Sequence, residues 1–156
     1  MIALAPATGR GLWKATTDWN DPRDAWGPGS DVLCLAARGD QVVIGHRTKG
    51  LVRWLNPADG AKQDETAVPE PRAVTLDAAS NVLAISGTSI VKLSRTDKNL
   101  KTLVAGLLAP ARLTVDPASG DIFVAERAES HQIKRFSAEG KPPPRPGGQL
   151  EVLPAA

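Results

Sequence analysis

The chain has 156 residues, 19 basic against 17 acidic side chains for a formal charge of +2, and 42% apolar residues. That apolar content disfavours disorder, no apolar run reaches membrane-spanning length, and the opening MIALAPA is too short for a signal peptide and lacks its basic start. The one cysteine, Cys34, excludes an intrachain disulfide framework and a multi-thiolate zinc site.

Taken in chain order, the elements read as short β segments separated by turn chemistry. Leu4-Ala5-Pro6-Ala7-Thr8-Gly9 matches Leu55-Asn56-Pro57-Ala58-Asp59-Gly60 nearly position for position, so the start of the chain reads as the third strand and turn of a preceding unit, with its fourth strand at 11–16. A long loop follows at 18–31. Apolar runs then recur at 32–36, 73–77 and 112–116, where Leu35, Leu76 and Val115 lie 41 and 39 residues apart. Ile44, Ile85 and Val124 mark a second set at the same intervals, and a third set runs from Val52 to Leu55, Ile90 to Leu93 and Ile133 to Phe136. Clusters of Gly, Asn, Asp and Ser between the runs supply the positive-φ positions and side-chain hydrogen bonds of hairpins. More polar fourth strands are expected at 63–67, 101–105 and 149–153. No segment carries a helical apolar stripe. The first and second runs are expected to be apolar on both faces, as in sheets packed between two neighbours.

Four antiparallel strands per unit, at a period of about 40, predict an all-β fold of β-propeller blades. The predicted divisions are 1–17 as outer strands of a preceding blade, 18–68 as a blade with a long Trp/Asp loop, 69–108 as a second full blade, and 109–156 as a third with a Pro-rich final connection. Three and a half blades make an incomplete ring, since closed propellers have typically about four to eight. The missing blades are expected in cis, in a longer protein, or from further copies of the chain.

The third unit carries a more specific pattern. Pro110-Ala111-Arg112-Leu113-Thr114-Val115-Asp116, then Gly120-Asp121-Ile122-Phe123-Val124-Ala125-Glu126, then His131-Gln132-Ile133-Lys134-Arg135-Phe136 and Gly140 resemble the NHL repeat. The second unit keeps Pro71, Leu76, Asp77 and Leu93 but has Ser86 in place of the acid, and the first has Gly45-His46 there. The resemblance spans about residues 31–140. It implies a propeller of six or seven blades, of a class that includes binding platforms, lyases and lactonase-like hydrolases.

In a propeller the loops from strand two to three, and from strand four to the next strand one, share one face. Candidate ligand-binding residues are therefore Trp19, Asp24 and Trp26 in the long loop, His46 and Arg47 in the next, and Glu126 with His131 in the last. The indoles would stack on a sugar or other flat ligand, with carboxylates taking hydroxyl contacts; the plainer alternative folds them back over the blade junction. His46 and Arg47 read as an anion-binding loop or a solvated hairpin tip, and His131 as a turn former. Glu126 is a channel carboxylate without a partner. Cys34 lies in an apolar inner strand, where burial makes a thiol inert. No catalytic or metal-ligating set is legible, and calcium enters only with a complete ring. Interleaved charges disfavour nucleic acid. The expected function is a non-catalytic platform for a protein, peptide or glycan; the alternatives are part of a lactonase-like hydrolase or lyase with a channel metal, and a self-assembling lectin. The compartment stays open, with a lean toward an extracytoplasmic bacterial protein.

Overall fold

Buried amides must be paired, and short apolar runs broken by Gly, Asn, Asp and Pro meet that need through antiparallel ladders. The computed structural model describes residues 2–4, 11–14, 32–94, 96–127 and 131–144. Among them there is no helix, and the strands form four antiparallel sheets. β1 (Ile2–Leu4) pairs with β2 (Gly11–Lys14), the hairpin expected for the start of the chain. β3 (Val32–Arg38), β4 (Gln41–His46), β5 (Leu51–Leu55) and β6 (Lys62–Ala67) form a meander in chain order. β7 (Pro71–Leu76), β8 (Val82–Ser86), β9 (Ser89–Leu93) and β10 (Leu100–Val104) repeat it. β11 (Pro110–Val115), β12 (Ile122–Glu126) and β13 (Ile133–Phe136) give the first three strands of another. The strand expected at 149–153 and the loop at 18–31 lie outside the described residues.

The inner strand β7 lies between β3 and β11, so the three sheets follow one another as blades of an open arc. Each inner strand slips register at the same place, between Val32 and Cys34, Pro71 and Ala73, and Pro110 and Arg112. The rungs Val32–His46, Pro71–Ser86 and Pro110–Glu126 are therefore equivalent, and the second strands end 40 residues apart.

This ladder corrects the spacing read from the sequence. Ile85 shares its rung with Gly45 and Ala125, whereas Ile44 and Val124 share theirs with Ala84. A shift of one residue moves a side chain to the other face of the sheet. The hairpins differ in length: four, five and six residues separate the equivalent rungs Ala37–Val42, Leu76–Val82 and Val115–Ile122, the first turning through Gly39 at φ 57°, so equal spacing in sequence does not mark equal rungs.

Two apolar cores flank the middle sheet. Val74, Leu76, Val82, Ala84, Val91 and Leu93 meet Val43, Val52 and Trp54 of the first sheet. On the opposite face Ala73, Leu83, Ile85 and Ile90 meet Ile122, Val124 and Phe136 of the third. Each large side chain buried in this way contributes about 1.5–3 kcal/mol. The expectation of apolar residues on both faces thus holds for β7 and β8, which lie between two neighbours. It fails at Leu35, 57% exposed on a face where Ile44 and Leu55 are buried, and on the outer face of the third sheet, where Arg112 and Thr114 are exposed. The two sheets fit closely: a Cβ on Gly45 would stand 2.6 Å from Cys34 Sγ and 3.3 Å from Pro71 Cβ.

Candidate functional site

The equivalent rungs place His46, Ser86 and Glu126 at the ends of β4, β8 and β12, on the face expected to carry ligands. Ser86 and Glu126 there meet the connectors that run into their inner strands. The Ser86 hydroxyl donates to the Pro69 carbonyl at 2.6 Å. Glu126 is buried; its Oε1 accepts from the Leu108 amide at 2.8 Å and its Oε2 from the Gln132 side-chain amide at 3.0 Å. The Lys134 ammonium lies 3.0 Å from the same carboxylate. Burial works against the charge on Glu126, but Lys134, Leu108 and Gln132 outweigh it and hold its pKa below the ordinary value. Its oxygens are thereby engaged within the third blade. This position ties a connector to its own sheet, through a hydroxyl in one blade and a carboxylate in the next.

His46 is fully buried at the corresponding rung of the first blade. Arg47 is exposed on the turn that follows it. His131 is exposed at φ 39°, the left-handed geometry of a turn. Trp19, Asp24 and Trp26 lie outside the described residues. Burial pushes the Cys34 thiol up to about 11, with the Gly45 backbone and the Arg112 charge offsetting part of that rise. The thiol is therefore protonated and unreactive at neutral pH.

Arg47 borders a cavity of about 330 Å³ with three cations that sequence reading passed over, Arg72, Arg112 and Arg127. Residues 109–111 complete its wall. Arg72 sits at the register slip of β7 and Arg112 closes that of β11, and such slips re-aim side chains out of the ladder. Arg127 follows Glu126 as Arg47 follows His46, so the two occupy equivalent places in different blades. That repetition was the available signal: a basic residue directly after strand two in the first and third units. The cavity draws side chains from all three blades.

A larger hollow of about 630 Å³ lies beside residues 142–144, where Arg135 is already paired with Asp121. Among the described residues no group of three or more His, Cys, Asp and Glu side chains converges in a way that could hold a metal, and no helix is long and apolar enough to cross a membrane.

No family model matches the chain, and no curated protein does. Solved structures match by shape. Hydrazine synthase of Kuenenia stuttgartiensis aligns with a TM-score of 0.61 and 15% identity, over 68% of this chain and 32% of that one. A structure of the nidogen/laminin complex aligns with a TM-score of 0.64 and 15% identity, over 73% and 47%. The computationally designed Ika4 protein aligns with a TM-score of 0.63 and 14% identity, over 90% and 81%. The chain thus spans about a third and about half of the first two. With its meandering four-stranded sheets and these neighbours, the fold is that of an all-β propeller in an open ring.

Proposed function

We propose that the chain is a non-catalytic propeller scaffold whose loop face binds a protein, peptide or glycan. The observation that carries this reading is the cavity at that face, which takes side chains from three successive blades held by two apolar cores. A site assembled on rigid sheets from several loops is how repeat folds present ligands. Arginine is enriched at the centre of protein interfaces, which favours a protein or peptide over a glycan. The nidogen/laminin structure, a complex with a protein partner, supports the same reading.

The enzyme reading gains no such support. Glu126, the carboxylate it would need at the channel, is taken up by Lys134, Leu108 and Gln132. Selection from a displayed peptide library, with a glycan array in parallel, tests the proposal. Ligands are expected whose binding weakens about tenfold in Arg47→Glu. Recovery of no ligand, or of ligands indifferent to that change, contradicts it.

A further inference from the structure

The formal charge of the whole chain is only +2, and among the described residues several cations away from the loop face are paired with carboxylates. Arg53 pairs with Glu65 at 2.8 Å, Lys92 with Asp77 at 2.8 Å, Lys98 with Asp64 at 2.8 Å, Lys134 with Glu126 at 3.0 Å, and Arg135 with Asp121. The loop-face cavity departs from that pattern. Four arginines line it, and among the described residues no Asp or Glu does. Among the described residues Arg47, Arg112 and Arg127 have no carboxylate partner; Arg112 donates only to the neighbouring Ala111 carbonyl, at 2.8 Å. Arg72 reaches Glu70 at 3.3 Å through one terminal nitrogen, while its Nε is buried with no hydrogen-bond partner. A buried donor without a partner is destabilising, and like charges gathered at one cavity repel. An anion in the cavity relieves that repulsion.

We infer that this cavity binds a phosphate dianion, free or as the terminal group of a monoester. The chemistry decides between anions. A carboxylate offers two oxygens in one plane and a single charge. A phosphate monoester offers three terminal oxygens in tetrahedral directions and about two charges at neutral pH, which suits guanidinium groups approaching from several segments. The volume of about 330 Å³ accepts such a group with part of what it is attached to. Arg47 comes from the β4–β5 turn, Arg72 and Arg112 from the bulged starts of β7 and β11, and Arg127 from the end of β12. A phosphate held there bridges all three blades.

The inference rests on reading the loop face as the binding face and gives that face a ligand chemistry. Isothermal titration of the full chain with inorganic phosphate, and separately with O-phosphoserine, at ionic strength matched with sodium chloride, tests it. One-to-one binding is expected in wild type. Arg112→Gln and Arg127→Gln are each expected to weaken it about tenfold, while Lys101→Gln on β10 leaves it unchanged. Tighter binding of O-phosphoserine supports an esterified phosphate, and tighter binding of inorganic phosphate supports the free ion. Absence of heat in wild type, or equal affinity in the arginine variants with unchanged thermal melts, overturns the inference. Tight binding of a thymidine oligonucleotide that inorganic phosphate does not displace also overturns it, because phosphodiesters then contact the surface as a polymer. Phosphate binding without any recovered peptide or glycan would leave the anion site standing and remove the platform reading; the reverse result would do the opposite.

Discussion

Glu126 shows how a single side chain can serve the frame instead of a ligand. Its carboxylate is held below the ordinary pKa despite burial, so the sign of its pH effect is fixed. A lowered folded-state pKa adds stability above the unfolded value and loses it as pH falls through the folded one. Glu126→Gln is therefore expected to cost about 1–2 kcal/mol at pH 7, with the difference from wild type narrowing below pH ~4.5. Urea unfolding at pH 7 and pH 3.5 measures this, and a difference independent of pH would contradict it. The sequence marked Glu126 as a channel carboxylate because it ends the second strand. It did not disclose the partners, since Leu108 arrives from a connector 18 residues earlier and Lys134 from the facing strand. The same limit hid the arginines: where a side chain points at a bulge depends on register, which composition does not carry.

At the scale of the element, the connectors recur as faithfully as the strands. Glu70 and Ala109 both adopt left-handed backbone, at φ 44° and 47°, directly before Pro71 and Pro110. Each lets the chain leave the fourth strand and enter the next inner strand at the equivalent rung. An L-residue pays roughly 1–2 kcal/mol for that conformation, which glycine avoids at a smaller cost in unfolded-state entropy. Ala109→Gly is accordingly expected to raise stability by about 0.5–1 kcal/mol by chemical denaturation. A loss of stability would show that the Ala109 methyl group supports the turn. Strand existence and order were readable because alternating apolar runs and turn residues are local signals. The rungs were not, because the three hairpins differ in length by residues that only pairing reveals.

At the scale of the whole molecule, the described residues form two cores in place of one. Each lies between adjacent sheets, so stability is a sum of nearest-neighbour terms and the middle sheet takes part in both. The repeat period made this architecture legible at about 40 residues. What it did not convey was which face of each sheet a given apolar residue serves, and hence where the arc leaves apolar surface open. Thr114, Phe123, Ala125 and Ile133 border a shallow depression on the outer face of the third sheet, with Ile133 74% exposed. By rung they correspond to the residues that the first and second sheets turn toward their successors.

These two outer faces are unlike each other. The face bearing Leu35 is the one that, in the other two sheets, receives a predecessor; the face bearing Ile133 is the one that, in those before it, offers itself to a successor. A contact that joined one of these faces to the other would therefore have a direction, like links that couple front to back, unlike a two-fold pairing of identical patches. Ile133→Glu and Leu35→Glu each disable one end of that coupling. If copies couple in this way, wild type sediments as species that grow with concentration, either variant alone as a monomer, and their equimolar mixture as no more than a dimer. A dimer of either variant by itself would show that copies meet elsewhere.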